Sequence, residues 1–256
     1  GKFLSEVDLE KRLRYGIHSL CEEIRTQRAP LDPAWLVAMV FAESFFNEFA
    51  ISPALAVGVS QFIAPTGRGY GLRCGETLGP LLAPDAGQEK RYWELNGQRR
   101  ALPIVQHFTL EQALQGLIES TTKQEKKKAQ EQLAYLQQRE GLRQEMQGAG
   151  SRFMNYLRAN MQGRDIFNSG DRYFLVQLDD RLTPHTALPA MVRLMAENLR
   201  QCKGNILVAT AAYNAGLQST QDEGPYECYG RIPANRETTL YVSRILVNYS
   251  LMKEKM

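Results

Sequence analysis

The apolar positions of this chain recur with a helical period almost throughout. Leu9, Leu13, Ile17, Leu20 and Ile24 fall at steps of three and four with charges between them, which predicts an amphipathic helix over residues 4–27, broken at Ala29-Pro30. Asp32-Pro33-Ala34-Trp35 reads as a helix start, with an Asp able to cap the first free amides and a Pro where a missing N–H costs nothing. The residues that follow, Leu36, Val37, Met39, Val40, Phe41, Phe45 and Phe46, are apolar on nearly every side and predict a helix surrounded by protein. From Cys74 to about Leu102, Gly and Pro punctuation with scattered charges predicts an irregular connection. Thr109 is placed to cap a helix bearing Leu110, Leu114, Leu117 and Ile118 on one face. A charge-rich run from Lys123 carries Leu133, Leu136 and Leu142, and Gly148-Ala149-Gly150 is expected to interrupt it before one more helix holding Phe153, Met154 and Leu157. Residues 170–176 fit either a short strand or the start of the next helix. Leu188, Met191, Val192, Met195 and Leu199 predict a helix over 186–202, stopped at Gly204. Asn205 then caps a short, nearly all-apolar helix over 206–215, closed by Gly216, and a last helix places Ile245, Leu246 and Tyr249 on one side.

Composition narrows the class. The chain has 256 residues, 43% of them hydrophobic, which is enough for one large or two modest domains. A net charge of +3 gives mild attraction to anionic polymers, but no basic stripe interleaves with aromatics, so nucleic acid is not expected as a partner. The lysines at 123 and 126–128 read as a solvated helix face in preference to a partner or polyanion contact. No apolar run approaches the ~18 residues of a membrane span. The chain opens at Gly1 with neither Met nor an apolar leader, so it is expected to be processed or trimmed. Cys21, Cys74, Cys202 and Cys228 are too widely spaced for a C-x-x-C ligand pair, and only His18, His107 and His185 accompany them, so no metal or cofactor is expected. The four cysteines allow one or two disulfides, or buried free thiols.

Candidate chemistry centres on Glu43, an acid inside the apolar helix with Met39, Val40, Phe46 and Asn47 at three and four residues. Burial there disfavours the charged form and would keep the carboxyl protonated near neutral pH, as a proton donor to a glycosidic oxygen must be. A core carboxylate paired with a cation from elsewhere in the chain is the alternative. Tyr213 and Asn214 lie at the polar end of a second apolar helix, where a phenol and an amide each need a partner or face a cleft; a satisfied core tyrosine and a helix-terminating Asn are the bland readings. Glu237, in the first turn of the last helix, is favourably placed for the helix dipole.

Three blocks occur in order: Glu43-Ser44 with Ser52 and Gly58-Val59-Ser60-Gln61; Ala211-Ala212-Tyr213-Asn214-Ala215-Gly216; and Ile232-Pro233 with Glu237-Thr238 and Tyr241-Val242. Together they resemble the soluble lytic transglycosylases, the goose-lysozyme-like family that cuts bacterial peptidoglycan. The resemblance implies a mainly α, lysozyme-like catalytic domain with a deep cleft, formed by residues 1–73 and 178–256, with residues 74–177 as a large helical insertion beside the cleft. It implies that Glu43 is the single catalytic acid and base. Tyr213 would hydrogen-bond near that carboxyl and help to hold it, Gln61, Asn214 and Glu237 would line the saccharide groove, and Ser52 would sit close to the reacting sugar. Ser60 stands where the family usually has Met, so a hydroxyl replaces a sulfur among the glycan contacts. In the implied reaction Glu43 protonates the oxygen between N-acetylmuramic acid and N-acetylglucosamine, then takes the proton of the muramyl 6-hydroxyl as a 1,6-anhydro ring closes. Peptidoglycan strands would be the partner, the insertion would either narrow the groove or dock a protein partner, and the periplasm or cell envelope would be the location. A hydrolase in which water replaces the 6-hydroxyl, or a non-catalytic glycan-binding scaffold, are the other readings.

Overall fold

The computed structural model describes residues 6–75, 81–102, 109–221 and 230–255. Among them are eleven α-helices and no β-strand, so the protein is mainly α. The chain divides into two compact units, Gly1–Leu78 with Met161–Met256, and Gly79–Asn160.

The first unit is built around α2 (Pro33–Ser44), whose residues from Ala34 to Val40 are all buried. Asp32 caps it, accepting from the Ala34 amide at 2.9 Å, and Tyr249 of α11 (Arg236–Lys255) donates to the second Asp32 oxygen at 2.6 Å. The helix is wrapped by α1 (Glu6–Ile24) and α11, while α8 (Pro184–Gln201) and α9 (Ile206–Ala215) complete the core. Asn205 caps α9 by accepting from the Leu207 and Val208 amides. The indole of Trp35, 1% exposed, donates to Thr210 at 2.9 Å and ties α2 to α9. Burying side chains of this size stabilises by about 1.5–3 kcal/mol each, so α2 is fixed by its surroundings more than by its own helical tendency. The remaining elements of this unit are α3 (Ala64–Gly69), α7 (Ser169–Leu178), a 3-10 turn at Asp180–Leu182 and α10 (Leu217–Thr220).

Residues 170–176 are helical, in α7, with Asn168 accepting from the Gly170 and Asp171 amides. Residues 161–177, placed by the sequence in the insertion, cluster with the first unit. The contacts explain this: the Phe167 ring meets Tyr15 edge-on and lies under the Arg12 guanidinium at 5.5 Å, both on α1.

The second unit holds α4 (Gln88–Ala101), α5 (Leu110–Glu119) and α6, whose helix runs from Lys123 to Met161. Two expectations are corrected here. The connection predicted as irregular contains α4, because the buried face of that helix is Glu89, Tyr92, Leu95 and Asn96, half of it polar and invisible to a hydrophobic count. The Gly148-Ala149-Gly150 run does not break α6. Each helical Gly costs about 1 kcal/mol against Ala, and burial of Ala149, Phe153, Tyr156 and Leu157 offsets that cost. Arg91 to Glu145 and Arg152 to Gln88, at 2.8 and 2.9 Å, clasp α4 to α6 across the glycine run. Thr109 and Gln112 form a reciprocal capping box at the start of α5.

Cys21 and Cys202 carry free thiols, and the buried Cys74 thiol donates to the Leu72 carbonyl; Cys228, His107 and Leu4 lie outside the described residues. No helix among the described residues is long and apolar enough to cross a membrane.

Candidate active site

Glu43 occupies the last turn of α2, and the helix stops at Ser44 rather than continuing past it. Phe46 and Asn47 are therefore not its helical neighbours, as a longer helix would have made them. Phe45 and Phe46 both take left-handed backbone, at φ 54° and 58°, which costs a non-glycine residue about 1–3 kcal/mol. Two anchors hold this turn. The Phe46 ring is buried over Gly16 of α1, where an added Cβ would lie 2.5 Å from a ring carbon. Glu48, fully buried, accepts two hydrogen bonds from Arg12 at 2.8 and 2.7 Å. Phe45 stays half exposed, its ring tilted at 45° against Phe41 with centroids 4.3 Å apart, and leaves an aromatic surface beside the acid.

The stretch after it folds into a tight loop with antiparallel bridges Ile51 to Val57 and Val57 to Phe62. Ser52 closes its first turn, its hydroxyl accepting from the Ala56 amide at 3.0 Å. Gly58 (φ 79°) lies against the backbone of Arg181, where a Cβ would sit 1.8 Å from the Arg181 carbonyl oxygen. Gln61, also left-handed at φ 47°, donates its amide to the carbonyls of Ala50 and Gly58. The Arg181 guanidinium is wholly buried, paired twice with Asp179 at 2.9 and 2.6 Å, and donates to the Phe62 carbonyl at 3.2 Å. Ser44 donates to the Val59 carbonyl at 2.8 Å, and Tyr213 to the Ser60 carbonyl at 2.5 Å. The loop from Gly58 to Phe62 is thus pinned from α2, α9 and the Asp179–Arg181 corner.

Glu43 itself is half buried. Its carboxyl accepts one hydrogen bond, from the Tyr241 hydroxyl at 2.5 Å, and among the described residues no cation forms an ion pair with it. Burial pushes its pKa up to about 7, against the opposing pull of the Tyr241 hydrogen bond and the positive charge of Arg244. Among the described residues no second carboxylate adds to the charges acting on it. The Tyr241 phenol is held well above its ordinary range by burial and then by Glu43, and so remains a donor; Tyr213 is raised in the same way by burial and the Glu43 charge.

Glu43, the Ser60-Gln61 turn and Tyr213 therefore meet in one place, and α11 brings Tyr241 to the same acid. Tyr213 bonds the turn, and Tyr241, in place of the expected Tyr213, bonds the carboxyl. Tyr241 stands in the third block but was given no role there. Its signal is the inner face of α11, Thr238, Tyr241, Val242 and Ile245, all buried, on which Tyr241 carries a polar tip. Leu246, expected on that face, is exposed. Asn214, exposed at the end of α9, accepts from Thr238 at 2.8 Å, and Glu237 beside it is exposed one turn before Tyr241. Ser60 has no exposed surface, and among the described residues its hydroxyl has no partner. Its carbonyl is what the site uses. Ser52 lies in the same loop without a direct bond to Glu43, and among the described residues no cluster of three potential metal ligands occurs.

Residues 21–88 match the family model described as the transglycosylase SLT domain. This stretch is similar to the SLT domain. The match includes Glu43, Ser52, Ser60 and Gln61, while Tyr213, Asn214, Glu237 and Tyr241 lie beyond it; through the fold Tyr241 reaches Glu43 and Tyr213 reaches the Ser60 carbonyl. No curated protein and no solved structure matches the chain. The SLT domain is a lysozyme-like, mainly α transglycosylase domain acting on peptidoglycan.

Proposed function

We propose that this protein is a lytic transglycosylase in which Glu43 serves as acid and then base. The observation that carries the reading is a half-buried carboxyl, pushed up to about 7 by that burial, whose hydrogen-bond partner among the described residues is one phenol. At neutral pH such a group is present in both protonation states, which suits a residue that must give a proton and take one back.

In the first step the protonated carboxyl donates to the oxygen between N-acetylmuramic acid and N-acetylglucosamine, and the C1–O bond breaks with the electron pair leaving on that oxygen. A glycosidase of the two-carboxylate kind would place a second acid within about 5–9.5 Å, whereas among the described residues the charge acting on Glu43 is the cation Arg244. The developing positive charge then falls to the substrate's own acetamido group. In the second step the ionised carboxyl removes the proton of the muramyl 6-hydroxyl as its oxygen bonds to C1, closing the 1,6-anhydro ring and restoring the protonated acid. Tyr241 stabilises the ionised form between the two steps. Tyr213, Ser44 and Arg181 act indirectly, fixing the loop that carries Gln61. Gln61, Asn214, Glu237 and Ser52 are assigned to the saccharide, with exposed Phe45 as a stacking surface. A peptidoglycan substrate places the protein in the bacterial envelope.

Glu43→Gln is the direct test, since an amide has the carboxyl's shape but no labile proton. The variant is expected to fold and to bind glycan strands while turnover of purified peptidoglycan is abolished. Substantial residual lysis would remove Glu43 from the catalytic role.

A further inference from the structure

The second unit contains a concavity of about 470 Å³ that the cleavage chemistry does not use, lined by Arg99 of α4 and by Leu136, Arg139, Glu140, Arg143 and Gln144 of α6. Its charges are unevenly satisfied. Arg143 donates twice to the Glu140 carboxylate, at 2.7 and 2.6 Å, and Gln144 donates to the same group at 3.0 Å. These bonds hold Glu140 down to about 2, so it stays ionised and saturated. Arg99 and Arg139 are half buried, and neither meets a carboxylate among the described residues. Among the described residues Arg99 makes one long hydrogen bond, to Asn96 at 3.4 Å, and its enclosed Nε has no acceptor.

A guanidinium in this condition is expensive, because a buried donor loses water and gains nothing in return. The helix dipole explains Arg99, which lies in the last turn of α4, but not Arg139 in the interior of α6. Three arginines against one glutamate leave the lining with an excess of two positive charges, in a concavity of the size that small ligands occupy. Planar guanidinium forks match the spacing of oxygens on a carboxylate or phosphate.

We propose that the concavity between α4 and α6 is an oxyanion site that takes the carboxylate or phosphate end group of a small ligand through Arg99 and Arg139. Leu136 supplies an apolar wall for the group bearing the charge, and Gln144 is a further donor at the rim. The site stands independently of the cleavage chemistry at Glu43.

The test titrates the full chain with inorganic phosphate, with acetyl-dialanine, which ends in a carboxylate, and with acetyl-dialanine amide, which does not. Calorimetry and the Nε–H resonances of the arginines report binding. Saturable binding of either anion, without binding of the amide, supports the site and says which oxyanion it takes. Arg99→Gln and Arg139→Gln should each weaken that binding by about tenfold, the loss expected for one charged hydrogen bond. Arg14→Gln, at an exposed ion pair on α1, should leave it unchanged. No saturable binding by the native protein, or undiminished binding by the Arg99→Gln/Arg139→Gln double variant, overturns the proposal. A second measurement needs no ligand: Arg99→Met should leave the melting temperature unchanged or raise it, since the charge it removes is unpaired. A clear fall would give Arg99 a structural partner and overturn the proposal.

Discussion

Replacing Glu43 by Gln should change the pH dependence of stability in a way that reports the protonation of this one group. The folded pKa is raised from 4.5 to about 7, so between these values the folded chain holds a proton that the unfolded chain has released. Stability from this group is therefore full below about pH 4.5 and is lost as pH rises through about 7. At 1.36 kcal/mol per pH unit the loss is at most about 3 kcal/mol, and solvent on the open side of the carboxyl reduces it to about 1–3 kcal/mol. Gln carries no such penalty and keeps an oxygen for the Tyr241 hydroxyl. The two proteins should thus melt together near pH 4.5, and by pH 8.5 the variant should be more stable, by about 2–10 °C for a chain of this size. Paired melting curves across that range, read by circular dichroism, measure the difference. A difference that stays flat with pH, or wild type becoming the more stable protein at alkaline pH, would refute a desolvated acid at this position.

Three further outcomes follow from the same geometry. Tyr241→Phe removes the hydrogen bond that favours the carboxylate, so Glu43 should hold its proton to still higher pH; the alkaline limb of the rate profile should move up by about a pH unit or more while the rate itself falls. Gly58→Ala must place a Cβ 1.8 Å from the Arg181 carbonyl in a left-handed conformation, and should cost more than about 3 kcal/mol in denaturant unfolding, or prevent folding. Ser60→Ala deletes a buried hydroxyl that bonds nothing among the described residues, so stability should be unchanged or rise by about 1 kcal/mol, with activity retained.

The helices of the first unit were readable because their caps and periods are local: Asp32 before Pro33 and Asn205 before Ile206 each bond the amides their position predicts. The acid was readable too, as an ionisable residue in an apolar helix. What could not be read was long range. Tyr241 and Glu43 are separated by 198 residues, and no periodicity in either segment announces their hydrogen bond. Arg181 looks like any charged residue near a turn, yet it is wholly buried under the loop that carries Gln61. The end of α2 at Ser44 was hidden for a related reason. Phe45 and Phe46 are ordinary helix residues by sequence, and it is the seat of the Phe46 ring over Gly16 that forces the left-handed turn. In the second unit α4 escaped notice because Glu89 and Asn96 take up core positions usually held by apolar residues.

The central claim is that one carboxyl both gives and retakes a proton, with the substrate's own hydroxyl closing the ring. The mass of the muropeptides released from purified peptidoglycan tests it most directly. The account predicts products lighter by one water than hydrolytic fragments, formed by the wild-type protein and absent with Glu43→Gln. Full-mass reducing ends from the wild type, or anhydro products from the variant, would contradict it.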